Sequence, residues 1–241
     1  MTPVYRRLAV LLLLISTVYC DNVIPQNTLE SQLLLLLKRW RTGGVDTGII
    51  PLPSLTCVKI PHVKHSYDRK GIKMTYILNK LELTGLDSFV IKQLKALEAK
   101  KSLDMSISLN IPKMTLYAEN YDLKGLAYHM YPLKGAGNMT VVFRDIDLNF
   151  NIYFFTTEDG IGTRIGNFRF DFNIHRLEAN LVNSSWPINK VLNSEGVEIL
   201  TSYQEKIVQA MWYYVVPYVN RNLVNVTTAQ IVNTILTTNL Q

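Results

Sequence analysis

The stretch Ile146-Asp147-Leu148-Asn149-Phe150-Asn151-Ile152-Tyr153-Phe154 alternates strictly between apolar side chains and mostly polar ones. The same alternation returns in Phe168-Arg169-Phe170-Asp171-Phe172-Asn173-Ile174, after a turn that contains Asp159-Gly160. Because successive side chains of a β-strand point to opposite faces, each run predicts one apolar face and one wet face. Asp-Gly between alternating runs favours a hairpin. The stretch therefore predicts two paired antiparallel strands that share a face rich in phenylalanine.

This apolar face has to be covered by another part of the chain. A long helical pattern begins at Ser194-Glu195, with apolar residues three or four positions apart, and runs to Leu223. Pro217 is expected to kink this helix. Two interpretations follow: the face and the helix form an ordinary core, or they form the wall of a cavity that takes an apolar guest.

On the second interpretation, the residues that bind the ligand are the apolar members of the hairpin face and of the covering helix. We predict that the cavity is lined by Ile146, Leu148, Phe150, Ile152, Phe154, Phe168, Phe170, Phe172, Ile174, Met211, Val215 and Tyr218. A tyrosine hydroxyl would orient the polar end of the guest, and the candidates are Tyr76, Tyr121, Tyr153 and Tyr203.

The first twenty residues have the pattern of a secretory signal peptide. Arg6 and Arg7 precede the apolar run from Leu8 to Ile15, and Val18-Tyr19-Cys20 can end in a cleavage site before Asp21. The run is too short to span a bilayer. We therefore predict that residues 1–20 are removed and that residues 21–241 form a single secreted domain.

Charge and cysteine content narrow the class of protein. Removing residues 1–20 takes two of the 25 basic side chains and none of the 19 acidic ones, so the mature net charge is +4. This charge is too mild to predict nucleic-acid binding. Cys57 becomes the only thiol of the mature chain, so no disulfide is predicted and the fold must depend on its core.

Three sequons agree with a secreted protein. They begin at Asn138, Asn183 and Asn225, and each has the Asn-X-Ser/Thr pattern. We predict glycosylation at these positions, with Asn183 the strongest candidate because Pro187 marks the loop in which it lies.

The segments before the hairpin predict one helix and several strands. Asn27-Thr28-Leu29-Glu30 is typical of a capping box, and Gly43-Gly44 ends the helix that it starts. Closely spaced prolines between residues 47 and 61 predict an extended crossover. A phase slip near Lys80 predicts a β-bulge, and Pro112 inside a long alternating run predicts a bend. Residues 86–101 fit either a short helix or a strand.

The sequence contains no strong catalytic or metal-binding motif. His62, His65 and Asp68 resemble a metal cluster, but they lie in a lysine-rich stretch with no further close ligand. The glycines from Gly160 to Gly166 lack a following helix that would bind phosphate. No enzyme activity, metal or cofactor is predicted. The lysines at positions 92, 95, 100 and 101 are a solvated face or a site of transient contact with anionic membranes.

Several short motifs resemble the insect haemolymph juvenile hormone binding and takeout proteins. They occur in the order and spacing of that family: Gly71-Ile72-Lys73-Met74-Thr75-Tyr76, Leu83-Thr84-Gly85-Leu86, Ile111-Pro112-Lys113, Tyr121-Asp122-Leu123-Lys124-Gly125, Leu133-Lys134-Gly135-Ala136-Gly137-Asn138 and Val191-Leu192-Asn193. The likeness extends over nearly all of the mature chain.

The resemblance implies an α+β fold of the elongated tubular lipid-binding type. In such a fold a strongly curved antiparallel sheet wraps a long carboxy-terminal helix, and a further helix lies at the N-terminal end. It also implies a tunnel for a hydrophobic ligand, no catalysis, and strand rather than helix at residues 88–97. Members usually carry a cysteine pair near the mature N-terminus. This chain lacks the pair, so its N-terminal end is expected to be held by packing alone.

Two hypotheses about function remain at this point. The first is a secreted carrier that binds a small hydrophobic ligand such as a terpenoid, a fatty acid or a related lipid. The second is a member of the same fold with a filled core, which acts by contact with a protein or a membrane surface. The sequence leaves the oligomeric state open. An enclosed volume of several hundred Å³ would favour the carrier.

Overall fold

The computed structural model describes residues 21, 23–69, 71–128 and 130–237. The predicted signal peptide, residues 1–20, lies outside the described residues. The described chain contains four α-helices and six strands: α1 Thr28–Thr42, β1 Cys57–Arg69, β2 Ile72–Thr84, β3 Val90–Ala99, β4 Ser102–Ala127, β5 Tyr131–Thr156, β6 Thr163–Leu181, α2 Ile188–Thr201, α3 Gln204–Asn222 and α4 Thr228–Thr237.

The six strands form one curved antiparallel sheet that is not closed into a barrel. Its order is β1-β2-β4-β5-β6, and β3 pairs with β4 alone. Strands β4 and β5 pair with each other over almost their whole length of 26 residues. Strands β2 and β3 lie end to end on the other edge of β4, since β2 pairs with residues 115–127 and β3 with residues 102–110. The α+β fold class is therefore confirmed.

The predicted phenylalanine hairpin is formed by β5 and β6. Phe150 lies opposite Phe170, and Leu148 lies opposite Phe172. The rings of Phe150 and Phe170 are stacked with centroids 4.9 Å apart. The chain turns between Thr156 and Thr163, at the predicted Asp-Gly position. Residues 90–99 are strand, as the family resemblance implied and against the helical alternative.

Two creases cross the sheet where the alternation slips. At the first, Lys80 has a left-handed backbone (φ 50°), yet the register of β2 with its neighbours is unchanged. The register shift falls one strand further on, between β4 and β5 at Ala118–Tyr121. The predicted bulge therefore lies on β4 rather than β2. It keeps Ala118 and Tyr121 both buried although they are three residues apart.

The second crease runs through Pro112 and Asp145. Asp145 has a left-handed backbone (φ 54°), and Pro112 lies beside it on β4. Pro112 also falls between the end of the pairing with β3 at Asn110 and the start of the pairing with β2 at Thr115. A residue without an N–H is tolerated at such a gap in the ladder. The expected bend near Pro112 thus coincides with the point where β4 changes its partner from β3 to β2.

The proline-rich stretch is only partly the crossover that the sequence predicted. Val45 and Leu52 form an isolated bridge, but β1 already begins at Cys57 and includes Pro61. Because β1 is an edge strand, the missing N–H of a proline costs it little. Cys57 is half-buried at the start of this strand and forms no disulfide with any described residue.

The sequence predicted one long helical pattern from Ser194-Glu195 to Leu223, but the structure has two helices in this region. Helix α2 starts earlier, at Ile188, and ends at Thr201, while α3 starts at Gln204. The hydroxyl of Thr201 bonds to the carbonyl of Val197, and that of Ser202 bonds to the carbonyl of Ile199. Such hydroxyls compete with the helical ladder, and they mark the break that the apolar periodicity conceals.

The N-terminal helix has the predicted cap, but its surroundings differ from the prediction. The side chain of Asn27 accepts a hydrogen bond from the Glu30 N–H, as expected. The end of the chain is not held by packing alone. The carboxylate of Asp21, whose side chain is 3% exposed, pairs with both terminal nitrogens of Arg41 (3.2 Å) and accepts from the Ile91 N–H (2.9 Å). An ion pair thus fixes this end.

The second crease divides the molecule into two halves. We call the half built from α1, β3, α4 and strand residues 102–111, 146–156 and 163–174 the closed half. We call the half built from β1, β2, α2 and strand residues 115–144 and 176–181 the open half. The large side chains that are almost completely buried, Ile91, Leu103, Thr163 and Leu223, lie at the closed half or at the end of α3 that packs on it.

Candidate functional site

A cavity of about 820 Å³ lies in the open half, between the β1–β2 hairpin and helices α2 and α3. Its apolar lining comes from both sides of the gap. The sheet supplies Val63, Ile72 and Met74, and the helices supply Val191, Ile199, Leu200, Ile207 and Ala210. Volumes of this size are typical of sites for small organic ligands.

The strands present these residues because of their alternation and register. Met74 and Tyr76 of β2 lie opposite Tyr67 and His65 of β1, and all four side chains line the cavity. Alternate residues of a strand face the same side, so the polar residues between them point away. The cavity wall thus follows directly from two paired alternating runs.

Side-chain hydrogen bonds fasten α2 to β6, on the side of the open half opposite to β1 and β2. The side chain of Asn193 accepts from the Ala179 N–H (2.7 Å) and donates to the Ala179 carbonyl (2.8 Å). Asn189 does the same with Leu181. These two amides cap the free edge of β6 as another strand would. They hold α2 against one side of the open half and leave the other side unfilled.

Close contact between α2 and β6 also depends on one glycine. Gly196 is buried in α2, and a Cβ at this position would come within 2.9 Å of the Leu177 side chain. Glycine at this position lets the helix approach the strand without displacing the Leu177 side chain. The helix is therefore drawn toward β6, away from the opposite wall of the cavity.

Polar and aromatic groups gather at one side of the cavity. The ring of His65 lies 5.7 Å from that of Tyr76, and the ring of Tyr67 lies 6.1 Å from that of Tyr203. Lys206 Nζ lies 5.4 Å from the centre of the Tyr203 ring. Burial raises the pKa of the Tyr76 hydroxyl. That hydroxyl therefore remains a neutral hydrogen-bond donor at physiological pH.

The arrangement suits an amphiphile better than a purely apolar molecule. Exposed charged residues on both walls, Lys64, Glu195, Glu198 and Lys206, form the rim. The apolar lining residues of β1, β2, α2 and α3 supply the rest of the wall. Apolar surface buried there contributes roughly 25 cal/mol per Å², and the rim and hydroxyl groups can bind a polar head.

The twelve lining residues predicted from the sequence lie elsewhere. Ile146, Phe154, Phe168, Phe170 and Ile174 are buried, Leu148, Phe150, Ile152, Phe172, Met211 and Val215 are half-buried, and Tyr218 is exposed. Ten of the twelve belong to the hydrophobic core or pack against it. The other two, Val215 and Tyr218, lie on α3. None of the twelve contributes to the larger cavity as the described residues define it.

Two of the twelve line a smaller cavity of about 540 Å³. Phe168 and Phe170 contribute to it at the edge of β6, together with Thr201, Gln204 and Val208 near the break between α2 and α3. The neighbouring Asn167, Arg169, Asp171 and Glu205 make much of its lining polar. The smaller cavity therefore has the character of a surface cleft.

Of the four tyrosines proposed to orient a ligand, two reach the larger cavity. They are Tyr76 and Tyr203. The hydroxyl of Tyr121 donates instead to the Val182 carbonyl (2.6 Å), and Tyr153 is exposed. The contribution of β1 was not predicted, because Pro61 and the prolines before it are typical of an extended crossover. The alternating run Val63-Lys64-His65-Ser66-Tyr67 was the available signal.

Three metal-ligating side chains meet once in the described part of the chain. One ligand atom from each of Asp145, Asp147 and His175 lies within 4.8 Å of the others, at the second crease. The side-chain amide of Asn110 donates to both carboxylates, at 2.7 and 2.9 Å. His175 Nε2 lies 3.0 Å from the remaining oxygen of Asp147. These hydrogen bonds join three neighbouring strands, β4, β5 and β6, and we call the four residues the seam.

Proton affinities at the seam follow from these contacts. The hydrogen bond from Asn110 lowers the pKa of Asp147, and the contact with Asp147 raises the pKa of His175. The three residues that resembled a metal cluster in the sequence, His62, His65 and Asp68, have separate contacts in the structure. His62 bonds to Asn79, His65 faces the cavity, and Asp68 pairs with Lys73.

The asparagines of the three sequons are all exposed. Asn138 lies in β5, Asn183 lies in the turn after β6, and Asn225 lies between α3 and α4. Their glycosylation remains a prediction. Lysines 92, 95, 100 and 101 are exposed on β3 and on the turn that follows it, in the closed half. Among the described helices, none has both the length and the apolar character needed to cross a bilayer.

Comparison with known proteins gives a family match over most of the chain. A sequence model of the family "Haemolymph juvenile hormone binding protein (JHBP)" matches residues 28–233. No curated protein matches the chain. Among solved structures, Takeout 1 of Epiphyas postvittana is similar at 18% identity and a TM-score of 0.45, over 86% of this chain and 88% of that one. A lipopolysaccharide binding protein is similar at 14% identity and a TM-score of 0.36, over 79% of this chain and 39% of that one.

Proposed function

Because the chain belongs to the haemolymph juvenile hormone binding protein family, we propose that it is a secreted carrier of one small hydrophobic ligand. The ligand occupies the larger cavity of the open half. The single observation that carries the proposal is this cavity of about 820 Å³, with an apolar floor and a polar rim. A family whose members are binding proteins gives no reason to expect catalysis here.

The lining favours an amphiphile of the terpenoid or fatty-acid class. Its chain packs against Met74, Ile199 and Leu200, and its head lies near the Tyr76 hydroxyl and the rim. Transfer of apolar surface from water into the cavity is the driving force. The neutral Tyr76 hydroxyl donates a hydrogen bond to an oxygen of the head.

The predicted phenylalanine face has a place in the same proposal. Ile207 and Ala210 line the cavity, and Met211, in the next position of α3, packs against the core that contains Phe168 and Phe170. The apolar face of α3 therefore extends from the cavity to the core of the closed half. We propose that the far end of a long ligand enters between α3 and the half-buried Ile152 and Phe172.

Filling the cavity tests the carrier function. Met74→Trp and Ile199→Trp each place a large ring in the empty volume, so we expect uptake of a fluorescent fatty acid to weaken at least about tenfold. Ile161→Trp, at an exposed turn position, is the matched control and leaves affinity unchanged. The proposal would be rejected if well-folded wild-type protein took up no fatty acid, or if all three variants bound it with equal affinity.

A variant of the phenylalanine face tests the extension of the ligand into the closed half. Ile152→Trp is expected to weaken binding of a long-chain fatty acid more than that of a short-chain one. The measurement is a titration of both chain lengths with the same fluorophore. Equal effects on the two chain lengths would confine the ligand to the open half.

Secretion and glycosylation complete the proposal. Expression in insect cells should yield a mature chain that begins at Asp21 and carries sugar at Asn183, Asn138 or Asn225. Intact-mass measurement before and after treatment with a glycosidase reports both features. A retained N-terminal segment would contradict the predicted signal peptide.

A further inference from the structure

One end of the open half displays an unusual set of apolar side chains. We call it the tip, and it consists of residues 66–69, 71–75, 122–128, 130–134 and 184–190. Trp186 is 83% exposed and Met130 73%, and Leu126, Tyr128 and Tyr131 are also exposed. Soluble proteins rarely expose so many large apolar residues together unless the surface has a partner.

The exposure of Trp186 is built into the fold. The Ser185 N–H donates to the Lys134 carbonyl (2.6 Å), and the Ser185 hydroxyl bonds to the Lys134 N–H and the Pro132 carbonyl. Three hydrogen bonds thus hold the loop against β5, directly before Trp186. The backbone from which the Trp186 side chain projects is therefore fixed at this end of the open half.

The rest of the tip is connected in the same manner. The Tyr128 N–H donates to the Gly71 carbonyl (2.6 Å), which joins the turn after β4 to the turn after β1. Both turns have left-handed residues, Gly71 and Tyr128. The two hairpin ends and the Trp186 loop therefore form one surface rather than three separate loops.

The tip is also basic. Its described side chains include four basic residues, Lys73, Lys124, Lys134 and Lys190, but only two acidic residues, Asp68 and Asp122. The two carboxylates already pair with Lys73 and Lys124. The described side chains of the tip therefore carry a net charge of +2, which is half of the +4 that the sequence predicts for the whole mature chain.

We propose that the tip docks on the surface of a lipid bilayer that contains anionic lipids. Tryptophan and tyrosine favour the boundary between headgroups and acyl chains, and lysine and arginine bind the anionic headgroups. Each basic residue near such a surface adds to the attraction, and the attraction falls off within a Debye length. A second copy of the chain is disfavoured as the occupant, because two tips in contact would oppose like charges.

The position of the tip gives docking a role in ligand exchange. Tyr128 and Ile72 belong to the tip and also line the larger cavity. Docking therefore places the cavity beside the acyl region of the bilayer, and an apolar ligand passes between them without crossing water. The inference goes beyond the proposed carrier function, and the docking itself does not require a bound ligand.

Vesicle flotation tests the inference. Wild-type protein is mixed with vesicles of phosphatidylcholine, or of phosphatidylcholine with phosphatidylserine, and the bound fraction is measured at low and high salt. We expect binding to the anionic vesicles, which weakens with salt. The double variant Trp186→Ser/Met130→Ser should lower the partition coefficient at least about tenfold, and Lys134→Glu/Lys190→Glu should remove the preference for anionic lipid.

The chain offers a matched control on α3. Tyr213 and Tyr214 are 72% and 78% exposed, but they lie far from the tip, so Tyr213→Ser/Tyr214→Ser should leave the partition coefficient within about twofold. Ile199→Trp, which fills the cavity from α2 outside the tip, should also bind vesicles normally, because docking does not need an empty cavity. This result separates failure of docking from failure of the carrier function.

Three results would overturn the inference. The first is a folded wild-type protein that does not bind anionic vesicles. The second is an equal loss of binding in the α3 control. The third is a dimer in solution, detected by light scattering, that the Trp186→Ser/Met130→Ser variant dissociates, which would make the tip an interface between copies of the chain.

Discussion

The closed half and the open half are made from the same long strands but differ in what fills them. In the closed half, α1 and α4 cover the sheet, and side chains such as Leu103 and Ile91 are fully buried. In the open half, α2 is fastened to the β6 edge, and a cavity of about 820 Å³ separates it from β1 and β2. The closed half supplies stability, while the open half leaves room for a ligand.

The difference shows that apolar alternation alone does not locate a cavity. The phenylalanine hairpin has the strongest alternation in the chain, and its side chains meet each other and α3. The weaker runs of β1 and β2 line the larger void. A void depends on how far the covering element is held from the sheet, and polar contacts set that distance here.

Truncation of core leucines gives the largest expected contrast between the halves. Leu103→Ala in the closed half should cost about 4 kcal/mol in free energy of unfolding, because it opens a new hole in a packed core. Leu200→Ala at the cavity should cost less than about 1.5 kcal/mol, since its side chain already faces empty space. Urea denaturation measures both. Equal costs would mean that the halves do not differ in packing.

The ion pair at the N-terminal end provides the next test. Arg41→Met leaves the Asp21 carboxylate buried beside the Ile91 N–H without its main cation, so we expect a loss of about 3 kcal/mol. The double variant Asp21→Asn/Arg41→Met should recover part of this loss. Thermal unfolding reports the effect, and a loss below about 0.5 kcal/mol would show that packing alone holds this end.

A smaller effect is expected where α2 joins β6. Asn193→Ala removes a donor and an acceptor from Ala179 and should cost about 1 to 2 kcal/mol. Ser194→Ala, at the neighbouring exposed position, is the control. If the Asn193 amide fixes the width of the cavity, the same variant should also speed ligand release, as measured by stopped-flow displacement. An unchanged rate of ligand release would show that the Asn193 contact with β6 does not set the width of the cavity.

The smallest effect is a dependence of stability on pH at the crease between the halves. Contact with Asp147 raises the pKa of His175 above its ordinary value near 6.5. The stabilisation is therefore complete below about pH 6.5 and disappears as the pH rises through the raised pKa. His175→Gln should flatten this part of the curve of melting temperature against pH. An unchanged curve would assign the dependence to other groups.

Local patterns in the sequence were enough to predict much of the fold. The β5–β6 hairpin follows from alternation, the cap of α1 follows from Asn27, and the bend at Pro112 follows from the missing N–H. Each of these features depends on residues that are close in the chain. The family resemblance supplied what local patterns left undecided, such as strand at residues 90–99.

The site depends on contacts that are distant in the chain. The break between α2 and α3 is set by hydroxyls at Thr201 and Ser202, which the apolar periodicity does not reveal. The gap beside Met74 depends on Gly196 and Asn193 meeting β6. No pattern within one segment contains that distance, so the sequence could predict an apolar interior but not where it stays empty.

Photocrosslinking with a diazirine fatty acid tests the central claim most directly. The labelled protein is digested, and the modified residues are identified by mass spectrometry. If the ligand occupies the larger cavity, we expect adducts on its lining, at Met74, Tyr76, Ile199 or Leu200. These adducts should disappear when unlabelled ligand competes. Adducts only at exposed positions such as Ile161, or adducts that no competitor reduces, would contradict a ligand site in the open half.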